Sequence, residues 1–206
     1  EEAYSIAILL RELMDEARQA FKVQIYSTDL ADEAIALARA GLYPLNIAQD
    51  VSPERLQRFF VREEGGYRIK KEVREMIVFA VQNVIKDPPF TRLDLLCCRN
   101  LMIYLEPELQ NRLLVAFHYA LKPGGVLFLS PSESIGNHTE LFSSIDRKWK
   151  LYRTNPSLKT SSAVMARGAA GITEGGGKIP GEGVRKVSET NFVELTRRVL
   201  VQYFAA

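Results

Sequence analysis

Residue types on which much enzyme chemistry depends are scarce in this chain, which has only two cysteines and two histidines among 206 residues. The cysteines are neighbours, Cys97 and Cys98, inside an apolar run. That spacing suits neither an ordinary intramolecular disulfide nor a zinc clip, so the sequence reads as a protein with reduced thiols and a cytoplasmic setting. His118 has no second ligand at metal spacing, so it reads as an ordinary helix residue and no metal site is expected. Ser132, Ser134 and His138 form no hydrolase elbow, because no Gly-x-Ser-x-Gly string exists. No run approaches the roughly 18 to 20 uninterrupted apolar residues that cross a bilayer, and the first residues lack the basic-then-apolar order of a leader, so direct membrane insertion is not expected. Charge of one sign is also missing. The 27 basic residues nearly balance the 25 acidic ones, which gives no argument for nucleic acid or an anionic lipid surface.

What is present is a hydrophobic content of 47%, enough for one substantial core with appendages. Ile6, Leu9, Leu10, Leu13, Ala17 and Ala20 recur at helical spacing and predict an amphipathic helix over 2–19. A strand-like stretch over 21–27 ends at Thr28 and Asp29, and a short helix over 30–40 closes at Gly41. From about 44 to 75 the pattern changes to a small insertion containing a hairpin, with Ser52 and Pro53 opening a helix and Glu63 to Tyr67 making a turn. Residues 73–84 and 93–98 predict buried strands, and the second has the continuous apolar character of a central parallel strand. A helix begins at Glu106 and Pro107 and runs to a Lys-Pro-Gly-Gly stop at 122–125, before a strand over 126–130. A last strand pair is expected at 142–144 and 149–152, with Trp149 as a core residue. Residues 154–186 turn to Ser, Gly, Ala and Pro without apolar period and read as a flexible linker, and helical spacing returns within 187–206. This order implies an α/β class with parallel winding.

In open α/β sheets, ligands bind beyond the carboxyl ends of strands, where loops and helix N-termini present unpaired backbone N–H groups. Four polar clusters fall there: Glu1-Glu2, Asp29, Asn83 and Arg99-Asn100. For Asp29 two readings stand, a carboxylate that accepts both hydroxyls of an adenosine ribose or a cap on the helix that follows. Asn83 offers an acceptor and paired donors to the edge of an adenine, with Val84 against the ring face, or else it only shapes a turn. Arg99 at a cleft floor calls for a carboxylate, from a ligand or from Asp94 or Glu106. Tyr104 is a pocket wall or a buried aromatic.

The ordered strings Glu-Glu-Ala-Tyr-Ser-Ile-Ala at 1–7, Ser-Thr-Asp-Leu at 27–30, Ala-Arg-Ala-Gly-Leu-Tyr at 38–43 and Cys-Arg-Asn-Leu-Met-Ile-Tyr at 98–104 together resemble the CheR family of chemotaxis-receptor glutamate methyltransferases. The resemblance runs over 1–153 and implies a Rossmann-like, largely parallel methyltransferase fold with a small β-containing insertion. It implies an S-adenosylmethionine pocket lined by Glu1, Asp29, Asn83, Val84, Arg99 and Asn100, with Tyr104 near the transferred methyl group and Tyr104 and Arg99 as the catalytic residues. It also implies methyl esters on the cytoplasmic domains of chemotaxis receptors, with S-adenosylhomocysteine as the second product. In some members the insertion grips a receptor's C-terminal peptide; the turn here, 63–67, is shorter. The family's glycine turn and N-terminal helical domain precede the Glu-Glu pair, so an N-terminally truncated piece is expected. The tail resembles hybrids that join methylesterase, methyltransferase and sensory PAS modules. A cofactor-binding scaffold module that transfers nothing is the alternative, and a nicotinamide oxidoreductase would need a Gly-x-Gly-x-x-Gly turn upstream.

Overall fold

In a computed structural model of the protein, residues 1–156 are described; the expected C-terminal helix and residues 157–186 of the expected linker lie outside them, whereas Thr154, expected to open the linker, is buried at the end of a strand. The chain divides into two compact units, one of residues 1–88 and one starting at Pro89.

The first unit opens with α1 (Glu2–Glu16), which is buried at Tyr4, Ile6, Ala7, Ile8, Leu9, Leu13 and Met14. The buried surface is wider than the predicted stripe, because Ile8 and Met14 lie on it as well, whereas Ala17 and Ala20 fall beyond the helix and are exposed. α1 packs on a parallel pair of strands, β1 (Ile25–Asp29) and a later strand described below. The strand is shorter at its start than the alternation over 21–27 suggests, because its length is set by its partner, from Ile25 opposite Ile77 to Asp29 opposite Val81. α2 (Asp32–Ala40) follows and stops at Gly41, whose φ of 59° is the left-handed end typical of a helix closed by glycine.

The insertion holds one more strand than the hairpin expected of it. β2 (Leu42–Tyr43) joins β3 (Phe60–Glu63) and β4 (Gly66–Ile69) in the antiparallel order β2-β4-β3, with α3 (Pro53–Phe59) between them. Ser52 caps α3 by accepting the Arg55 N–H, and Pro53 sits at its first turn, as predicted. A Cβ at Gly66 would stand 1.9 Å from the Tyr43 carbonyl oxygen, so only glycine lets β2 approach β4 here. Arg68 donates to both oxygens of Glu63 across the hairpin, at 2.6 and 2.9 Å, and these bonds hold the Glu63 carboxyl below its usual range. α4 (Lys71–Arg74) then leads to β5 (Ile77–Val81), the partner of β1. The predicted strand over 73–84 thus begins as a helical turn, with Val73 fully buried in the same core as Ile77 and Phe79.

In that core the Tyr4 hydroxyl donates to the Ala38 carbonyl at 2.7 Å and its ring packs on Phe79, with centroids 5.5 Å apart. Burial raises the Tyr4 phenol above its ordinary pKa, against a smaller opposing pull from Arg74.

The second unit is a four-stranded sheet of order β6-β7-β9-β8 with one long helix. β6 (Leu93–Cys98) has the predicted bounds, α5 (Pro107–Ala120) starts at the predicted proline, and β7 (Leu121–Leu129) runs parallel to β6. The Lys-Pro-Gly-Gly string does not separate helix from strand; it forms an irregularity within β7, where the register steps from Leu93 opposite Leu121 to Leu95 opposite Val126. β8 (Phe142–Asp146) and β9 (Leu151–Thr154) add antiparallel neighbours. Val126, Phe128 and Leu151 pack together with Leu95, Cys97 and Trp149, while α5 packs on β7. Four consecutive residues of β7, from Val126 to Leu129, are buried, the mark of a strand covered on both faces. His118 is an ordinary helix residue, its Nε2 3.1 Å from the Asn155 carbonyl and its ring edge-on to Phe142.

Candidate functional site

The first unit brings three of the named residues to one sheet edge. β1 and β5 are parallel, so their carboxyl ends lie side by side, and the Gln82 N–H donates to the Asp29 carbonyl at 3.0 Å just beyond them. The Asp29 side chain is exposed, and its Oδ1 accepts the Ala31 N–H at 2.9 Å, the short-range bond of an Asx turn ahead of α2. Among the described residues Oδ2 has no protein donor. Asn83 lies two residues past β5, and its Oδ1 accepts from Ile85 at 3.0 Å and Lys86 at 3.2 Å, while its own N–H donates to Asp87. Its amide oxygen is thus engaged in its own turn. Val84 is half-buried beside it, and Glu1 is exposed at the start of α1, its carbonyl accepting the Ser5 N–H.

The second unit collects Arg99, Asn100 and Tyr104 on the segment that leaves β6. The Arg99 guanidinium lies over the Phe128 ring, 5.1 Å from its centroid. Asp94 is bound by Lys122 at 2.6 Å, and Glu106 is the cap residue of α5 without a side-chain capping bond. Asn100 has φ of 59°, a left-handed conformation that side chains other than Asn and Asp rarely take. A 3-10 turn, Met102–Tyr104, follows, with Met102 buried at 2% and Tyr104 standing out at 80% exposed. Tyr104 is therefore an exposed side chain, not a core aromatic.

Two residues that the sequence reading passed over hold this segment. Glu133 is 4% exposed; its Oε1 accepts from Leu101 N–H at 2.9 Å and Met102 N–H at 2.8 Å, and its Oε2 from Ser130 N–H at 3.0 Å. Gln110 on α5 donates its amide to the carbonyls of Met102 at 3.0 Å and Leu105 at 2.9 Å. The only signal for Glu133 in the sequence was an acidic residue three positions after the end of an apolar strand.

Residues 1–151 match the family model described as CheR methyltransferase, SAM binding domain. The chain belongs to this family. A 104.1 kDa uncharacterised protein from the hypE 3' region of Rhodobacter capsulatus is 38% identical over 172 residues, 84% of this chain and 18% of that protein. The chemotaxis protein methyltransferase of Salmonella typhimurium is 36% identical over 152 residues, 69% of this chain and 51% of that protein. Chemotaxis protein methyltransferase 1 of Pseudomonas aeruginosa is 34% identical over 142 residues, 66% of this chain and 52% of its own length. The chain thus spans about half the length of the named methyltransferases it matches. Membership in the CheR family makes S-adenosylmethionine the cofactor that this α/β domain binds; its described sheets are mixed and not largely parallel, with β1–β5 and β6–β7 parallel and the other strand pairs antiparallel.

Within the first unit, an exposed strand-end carboxylate and an amide have the chemistry to bind a ribose diol and an adenine edge; within the second, a guanidinium next to an exposed amide has the chemistry to bind a carboxylate. Among the described residues no cluster of metal-ligating side chains occurs, and no helix is long and apolar enough to cross a membrane.

Proposed function

We propose that this chain is the cofactor-holding part of a methyltransferase that esterifies glutamate side chains on the cytoplasmic domains of chemotaxis receptors, its methyltransferase region being 1–153. The strand end at 98–104 carries this reading, with its guanidinium, left-handed Asn100 and outward Tyr104 in succession. S-adenosylmethionine supplies, when bound, a methyl group on a positively charged sulfur. Asp29 would accept the ribose hydroxyls, Asn83 would donate to the adenine edge beside Val84, and Arg99 and Asn100 would hold the amino-acid end. Glu1 completes the lining, and Tyr104 borders the path of the incoming glutamate.

With the methyl donor bound, a glutamate oxygen would take the methyl carbon, the carbon–sulfur bond breaking with its electron pair left on sulfur. Opposite charges cancel and no proton moves, so neither a histidine nor a cysteine is needed. Orientation is what the protein must supply, and it is worth up to about 7–11 kcal/mol in well-aligned systems.

The reading is tested by incubating the whole natural protein with methyl-labelled S-adenosylmethionine and receptor cytoplasmic fragments. Label that is released as methanol by mild base is the expected result. Cofactor binding without base-labile label would favour the scaffold reading instead.

A further inference from the structure

We propose that Glu133 is a positioning residue, which with Gln110 holds the segment of residues 99–105 in the one conformation that presents Arg99, Asn100 and Tyr104; the inference rests on the methyltransferase reading above.

The backbone supplies the reason for a carboxylate at this point. Asn100 is left-handed at φ 59°, and Leu101 is right-handed at φ −107° and ψ −48°. Successive residues of opposite hand turn neighbouring N–H groups toward one point and create a small concave anion site. Here the N–H groups of Leu101 and Met102 converge on one oxygen of Glu133. The other oxygen takes the Ser130 N–H, at the end of β7. The carboxylate therefore ties together the ends of two neighbouring parallel strands, β6 and β7.

Burial decides how firm this tie is. Glu133 is 4% exposed, and a buried carboxylate is tolerated only where donors replace its lost water. Conversely, the Met102 and Ser130 bonds are buried, so these donors have no water to turn to if the carboxylate is removed. Gln110 works on the opposite pole of the same turn by binding carbonyls of Met102 and Leu105. With N–H groups held from one side and carbonyls from the other, Met102 is locked into the core while Ile103 and Tyr104 are exposed, Tyr104 the more so at 80%. Glu133 touches none of the groups assigned to the cofactor; it acts through the main chain of Asn100 and its neighbours.

The test compares Glu133→Ala, Glu133→Gln and Gln110→Ala in this chain, with Glu140→Gln, an exposed carboxylate of the same connection, as the control. Two quantities are read: amide exchange at Leu101 and Met102 by NMR, and S-adenosylhomocysteine affinity by calorimetry. Glu133→Ala is expected to speed exchange at both amides about tenfold or more and to weaken binding by about tenfold, with both readings unchanged in Glu140→Gln. Glu133→Gln keeps one carbonyl oxygen for the two amides and should fall between wild type and Glu133→Ala in both readings. It also carries the comparison, together with Gln110→Ala, if Glu133→Ala does not fold. Unchanged exchange at Leu101 and Met102, or faster exchange with affinity within about twofold of wild type, would overturn the proposal. A wild-type chain that binds no S-adenosylhomocysteine would sink the cofactor reading alone, and the exchange rates would still decide whether Glu133 holds the segment.

Discussion

The loops that leave β1 and β6 occupy equivalent places, each beyond the carboxyl end of a parallel strand, yet they are held in opposite ways. The first is shaped by its own residues: Asp29 bonds an amide two positions on, and the neighbouring Asn83 turn is closed by partners two to four positions away. The second is held by Glu133, which reaches back 31 and 32 positions to Met102 and Leu101. Local turns of this kind are solvent-exposed and cheap to form, whereas the distant tie buries a charge and forms only once β6 and β7 are paired. The β1 end thus depends on bonds between near neighbours in the chain and the β6 end on a tertiary contact.

The largest effect should come from breaking the distant tie. Glu133→Ala leaves buried N–H groups without acceptors, and a loss of about 3 kcal/mol or more is expected. Urea unfolding followed by the fluorescence of Trp149, the single tryptophan and a residue packed against the second unit's core, measures it. An unchanged midpoint would mean that water replaces the carboxylate.

Gly66→Ala is the next test, placed in the first unit, where the contact of β2 with β4 depends on a missing side chain. A cost of about 2 kcal/mol is expected, from a collision that only backbone movement relieves. Amide exchange at Arg68, which lies opposite Leu42, should rise, while the Trp149 transition stays where it was. Movement of both signals would show that the two units unfold together.

Asp29→Ala should reverse the balance between stability and binding. Losing one exposed turn bond costs about 0.5–1 kcal/mol or less. S-adenosylhomocysteine affinity should fall at least about tenfold, since the diol loses its charged acceptor. Calorimetry with unaltered affinity would take Asp29 out of the pocket.

The smallest effect is a pH dependence in the insertion. Hydrogen bonds from Arg68, opposed by desolvation and aided to a lesser degree by its charge and that of Arg74, hold the folded Glu63 carboxyl below its unfolded value. A lowered folded pKa gives stability that is present above the usual carboxylate range and lost as pH falls through the folded value. Carbon chemical shifts of Glu63 should therefore titrate lower than in an unfolded peptide, and exchange across the β3–β4 turn should quicken only in acid. Titration of Glu63 at the ordinary value would sink this account.

Much of the fold was legible. The β6 bounds and the Pro107 start of α5 followed from an apolar run and a proline at a first turn, and both signals depend on nearest neighbours in the chain. The misses share a cause. β1 begins at Ile25 because its partner begins at Ile77, β2 exists because Gly66 admits it, and Lys-Pro-Gly-Gly lies inside β7 because β6 continues past it. Each is decided by a strand far away in sequence.

The candidate site divides along the same line. Asp29, Asn83, Arg99, Asn100 and Tyr104 could be named from their positions at strand ends and from ordered motifs, since both are written in consecutive residues. That Asn83 spends its oxygen on its own turn, that Asp94 belongs to Lys122, and that Glu133 holds the residues after Asn100 could not be read this way. The sequence by itself determined which chemical groups stand at the strand ends and which family they belong to. The tertiary structure alone decided which of those groups are already bonded to the protein, because a hydrogen bond needs its partner within about 3 Å and adjacency along the chain says nothing about that distance.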